Sequence, residues 1–125
     1  MKKLLVAAII VSIPQAAFAQ MMNAQAFYQR ATALQKKGIA AIFSGGEIKA
    51  LMAEGQAAGA KAGAQRKAAI AAGQKPRYCP PGTSVKMDSD EFMKRLGAIP
   101  ASARSRIDMT EATIRILAAK YPCTA

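Results

Sequence analysis

Tyr78-Cys79-Pro80-Pro81-Gly82 and Lys120-Tyr121-Pro122-Cys123 bracket the stretch that decides the fold. They contain the only two cysteines of the 125-residue chain. Pro80-Pro81-Gly82 spells a turn. Asp88 with Glu91 three residues on has the form of a capping box. Met87 and Phe92 stand where a hydrophobic staple would close it. The helix opened there should bury Phe92, Met93 and Leu96 and stop at Gly97. Ala98–Arg106 holds Pro100, Arg104 and Arg106, and reads as an exposed basic loop or a single helical turn. Asp108 with Glu111 opens a last helix reaching about Lys120. Its inward stripe is Ile107, Thr110, Ile114, Leu117 and Tyr121, and Pro122 stops it.

The start of the chain sets the redox context. Lys2 and Lys3 precede an apolar run, Leu4–Ile13, that Pro14 ends. Ala17-Phe18-Ala19 has the small-x-small pattern of a cleavage site. Residues 1–19 therefore read as a signal peptide cut before Gln20. The alternative is an uncleaved anchor, but the run is shorter than the about 20 residues that span a bilayer. The expected location is periplasmic or secreted, with no membrane-spanning segment after cleavage. In an exported chain two cysteines without a third read as one disulfide, Cys79 to Cys123. Closing the 43 residues between them should stabilise the fold by about 4 kcal/mol. A redox or metal pair is disfavoured, because there is no Cys-x-x-Cys and no histidine. No metal and no cofactor is expected.

Outward from the cysteine-bounded region 78–125, residues 20–77 form a basic, Ala/Gly-rich helical segment. Asn23 suits an N-cap, and a helix should run from Met21 to Phe43. Phe27, Ala31, Leu34, Gly38 and Ile42 make one helical stripe, widened by Ile39 and Phe43 and read as core. A basic amphipathic stretch lying on a membrane surface is the alternative. Ser44 with Glu47 promises a second helix reaching Ala72, stopped by Gly73. Gly55, Gly59 and Gly63 recur every fourth residue on one face of it. Each weakens the helix by about 1 kcal/mol relative to alanine. The reading is a flat helix-packing face that lets another helix approach, and it leaves a homodimer open; the alternative is a mobile low-complexity segment. Gly73–Arg77, with Pro76, links the two regions. The fold expected is all-α, a small domain of about four helices ending in a hairpin stapled by one disulfide.

Loss of Lys2 and Lys3 with the leader takes 18 basic residues to 16 against 7 acids, a net charge of +9. Nine of those bases, with two acids, lie between Gln20 and Arg77. An anionic partner follows from such a balance, or simply well-solvated helices. Nucleic acid is disfavoured by export and by the scarcity of stacking aromatics among the bases. An enzyme is disfavoured too, since the commonest general base, histidine, is missing. Ser84 with Lys86, or Ser102 with Lys94, could form a Ser-Lys dyad, but nothing nearby resembles an oxyanion hole.

The marks Tyr78-Cys79-Pro80-Pro81-Gly82, Phe92–Leu96, Pro100 and Tyr121-Pro122-Cys123, in that order, resemble the Rap/Tai immunity family. The resemblance covers about the last 46 residues. It implies a small, exported, helical, disulfide-bonded protein without enzymatic activity. It further implies binding to an exported partner, a peptidoglycan amidase of type VI secretion. On that reading the Ala98–Arg106 loop is the contact, with Arg95, Arg104 and Arg106 as charge anchors. The alternative is a basic structural or envelope-associated protein that binds anionic lipid or cell-wall polymer through residues 20–77.

Overall fold

A computed structural model describes residues 21–82 and 84–124. The expected leader and cleavage site lie outside the described residues. The chain is all-α, with α1 at Ala24–Lys37, α2 at Gly45–Ala71, α3 at Ser89–Ala98, a single turn α4 at Ala101–Arg104, and α5 at Met109–Lys120. A 3₁₀ segment, Gly38–Ser44, joins α1 to α2. The cysteines form the expected disulfide, Cys79–Cys123, which ties the start of the α3–α5 hairpin to its end.

α5 is the helix the others pack around. Met109, Thr110, Ala112, Thr113, Ile114, Ile116 and Leu117 are all buried, so far more than one stripe faces inward. One cluster unites Phe27 of α1, Leu51 and Ala58 of α2, Leu96 of α3 and Met109, Ala112 and Ile116 of α5. A second joins Ala62, Tyr78, Ile114 and Leu117 beside the disulfide. The Gly73–Arg77 link therefore connects helices that share a core and does not divide two cores.

The beginning of the chain is tied in early. The Met22 N–H donates to the Glu54 carboxylate. The Ala24 N–H donates to the Ile107 carbonyl and the Met109 N–H to the Met22 carbonyl, both at 2.9 Å. Asn23 and Asp108 thus pair as one antiparallel bridge, although both are also helix caps.

Four capping expectations meet different outcomes. Asn23 Oδ1 accepts from the Gln25 and Ala26 N–H groups, as an N-cap should. Asp88 and Asp108 accept from the N–H groups of Glu91 and Glu111 at 2.8 and 2.9 Å. The reciprocal half of each box is not made, because the glutamates are engaged by cations. Glu91 holds Arg95 and Lys120, and Glu111 holds Arg77 and Arg115. The Ser44–Glu47 box does not form. The Ser44 hydroxyl takes Lys37 at 3.0 Å, and Glu47 grips Arg30 with both oxygens at 2.6 Å.

The first helix is shorter than its apolar stripe suggests. It stops at Lys37, and Gly38 takes φ +55°, a conformation that suits glycine. The following 3₁₀ segment has three residues per turn, so the phase of the stripe is lost. Phe27 is buried, but Ile39, Ile42 and Phe43 are 85%, 73% and 92% exposed. The second half of the stripe is therefore not core.

The ion pairs predict an acid sensitivity. Lys120 and then Arg95 hold the Glu91 carboxyl below its ordinary value of 4.5. Arg77 does the same for Glu111 against a partial burial that pulls the other way, with Arg115 adding to it. Carboxylates depressed in the fold contribute stability above that ordinary value and lose it as pH falls through the lower folded values. The melting temperature is expected to decline as pH drops below 4.5, and less so in Glu111→Gln. A melting temperature that rises on acidification would contradict these pairs.

Candidate functional site: an open groove along the glycine stripe

The inward face of α2 is Leu51, Ala58 and Ala62, spaced at seven and four. Both alanines are fully buried, which brings the α2 backbone close to α5. The glycines lie beside this face, turned part-way toward solvent. A Cβ built on Gly55, Gly59 or Gly63 meets nothing within 4 Å. Among the described residues no other helix of the chain packs on these glycines: the close helix contact runs over the alanines, and the glycines border open space.

That space is a groove in two adjoining parts, which share Gly55, Met87 and Phe92. One part, about 450 Å³, lies between the three glycines and Thr113, Ile116 and Leu117 of α5, with Tyr78, Pro80 and Val85 at its side. The other, about 620 Å³, continues between α1 and α2 toward the start of α3, along Phe27, Leu34, Leu51, Met52 and Met93. Val85 and Met52 are large apolar side chains left largely exposed on the rim.

The polar groups along the groove differ from end to end. Arg66 and Lys67 stand at the end toward the C-terminus of α2, and Asp88 and Asp90 at the other. Arg66 is held in place: its Nε donates to the Tyr78 carbonyl at 3.1 Å, and its guanidinium lies 5.8 Å from the Tyr78 ring centre. Burial pushes the Tyr78 phenol above its ordinary value, so it is neutral at physiological pH. The Thr113 hydroxyl, deep in the groove wall, already donates to the Met109 carbonyl. An apolar trough with opposite charges at its ends suits recognition of an extended apolar surface.

The three arginines of the basic loop part company. Arg104 is 7% exposed and points inward. Its guanidinium donates to the carbonyls of Leu96, Gly97 and Ile99 and to Gln25 Oε1, and lies 4.0 Å from the Tyr28 ring centre. It braces α3 against α1, so its reading as a partner contact is corrected. Arg95 is committed to Glu91 at 2.8 Å. Arg106 is exposed and makes no ion pair among the described residues. The loop is thus no cluster of free charge anchors.

Comparison with known proteins gives no matching family model, no matching curated protein and no matching solved structure. Among the described residues no three acidic or cysteine side chains gather as a metal site, and no helix is long and apolar enough to cross a membrane.

The groove is half legible in the sequence. The four-residue glycine spacing marks the correct face of α2. Among the described residues no helix of the same chain occupies it. Nothing in the linear pattern distinguishes a glycine face that is covered from one left open.

Proposed function

We propose that the protein is an exported, non-enzymatic binding protein whose α2 groove takes an apolar segment of an exported protein partner. Following the resemblance of Tyr78–Cys123, the partner class is a peptidoglycan hydrolase, which binding would neutralise in the periplasm. One observation carries the groove as the contact surface: three helix-weakening glycines face space that no side chain among the described residues fills. A protein that gained nothing from an open groove could carry alanine at all three positions. The early tethering of Met22 and Ala24, just after the expected cleavage site, fits a mature chain that begins at Gln20.

The test uses the mature protein as bait in periplasmic extract, beside a Gly59→Phe variant that fills the groove from a position where an added Cβ meets nothing within 4 Å. The expected result is recovery of a peptidoglycan hydrolase by the native protein, inhibition of that hydrolase in a wall-digestion assay, and loss of both in Gly59→Phe at an unchanged melting temperature. Failure to recover any hydrolase would overturn the partner class. Equal recovery by Gly59→Phe would overturn the groove.

A further inference from the structure

The 3₁₀ segment between α1 and α2 carries the most exposed large apolar side chains among the described residues. Phe43 and Ile39 are 92% and 85% exposed and Ile42 is 73% exposed. Three residues per turn place Ile39 and Ile42 on one edge of the segment. A surface patch of this kind ordinarily marks an interaction site.

Its immediate surroundings are cationic. Lys36 and Lys37 close α1 just before it, and Lys49 follows one turn into α2. The acid beside it, Glu47, is already neutralised by Arg30, which binds both its oxygens at 2.6 Å. We propose that this tip docks the protein on an anionic phospholipid bilayer, with Ile39, Ile42 and Phe43 entering the acyl boundary and the lysines meeting the headgroups. Apolar side chains and basic residues together are the two signals that give interfacial binding. Charge decides against the other occupants. A second copy would bring another strongly basic chain, with the same lysines, to the same place. An anionic wall polymer would satisfy the lysines but has no apolar layer for Phe43. The proposal is independent of what fills the α2 groove.

The protein has no tryptophan, so Phe43→Trp supplies a single fluorescent reporter at the tip. The expected result is a blue-shifted emission on adding phosphatidylglycerol vesicles, quenched by brominated acyl chains and weakened by salt. Phosphatidylcholine vesicles should give little shift. Vesicle binding measured by sedimentation should fall about tenfold or more in Phe43→Ser. The melting temperature should hold, since the side chain touches little of the fold. Three results would overturn the proposal: no shift with anionic vesicles, sedimentation with them while the reporter's emission stays unshifted and unquenched, or a blue shift that grows with protein concentration in the absence of lipid. The last would assign the tip to a second copy.

Discussion

Arg104→Ala is expected to destabilise the protein by about 3 kcal/mol or more. The guanidinium satisfies three backbone carbonyls at the end of α3, those of Leu96, Gly97 and Ile99, at 3.3, 3.1 and 2.5 Å. It also bonds Gln25 of α1 at 2.7 Å. Removal takes the donor from the Gly97 and Ile99 carbonyls, while Leu96 keeps the Ile99 N–H, in a region closed by Tyr28, whose ring lies over the same guanidinium. Gly97 completes the arrangement, since a Cβ there would lie 3.1 Å from the Tyr28 hydroxyl oxygen. Lysine at position 104 should restore only part of the loss, because one ammonium can meet the carbonyls that Nη1 meets but cannot also bond Gln25 Oε1 and cover the Tyr28 ring. Arg106→Ala, two residues on and exposed, should change stability by less than about 0.5 kcal/mol. Urea unfolding of the three variants checks the contrast. Equal, small losses at 104 and 106 would show that Arg104 is not a brace.

Removal of the disulfide is the second large effect. Cys79→Ser with Cys123→Ser, or reduction of the native protein, should cost about 4 kcal/mol by freeing a loop of 43 residues in the unfolded chain. For a domain of this size the melting temperature should fall by roughly 15–30 °C. The loss has a local component as well. The Cys79 N–H donates to the Tyr121 carbonyl at 2.8 Å, and the neighbouring Tyr78 is buried against Ile114 and Leu117. Far-UV circular dichroism melts with and without reductant measure the effect. An unchanged midpoint would mean that the bond constrains nothing the core does not already hold.

The C-terminal half is the more legible because its signals are local. Asp88 and Asp108 precede their helices by one residue and need only a nearby N–H to act. Pro122 stops α5 whatever packs around it. The errors lie where a distant residue competes for a local partner. Glu47 could have closed a box on Ser44, but Arg30, seventeen positions earlier, gives it two short charged hydrogen bonds. Ile39, Ile42 and Phe43 continue the stripe of Phe27 in the sequence, and one glycine with positive φ removes them from the core. Arg104 reads as surface because arginine usually is; its burial depends on carbonyls left free at the end of α3, which composition does not reveal. The groove depends on what is not packed against α2, and that is a property of the assembled fold.

The proposed function links the glycine stripe to recognition, and Gly55→Ala, Gly59→Ala and Gly63→Ala combined in one protein test that link. Each added methyl has space around it and favours helix, so the triple variant should gain about 2–3 kcal/mol. The same three methyls line the groove wall and should weaken binding to the proposed hydrolase partner. The decisive measurement pairs a thermal melt of the triple variant with its affinity for that partner. A higher melting temperature with reduced affinity is the result predicted for a groove kept open for a partner. A lower melting temperature, or a more stable protein that binds as tightly as the native one, would contradict it.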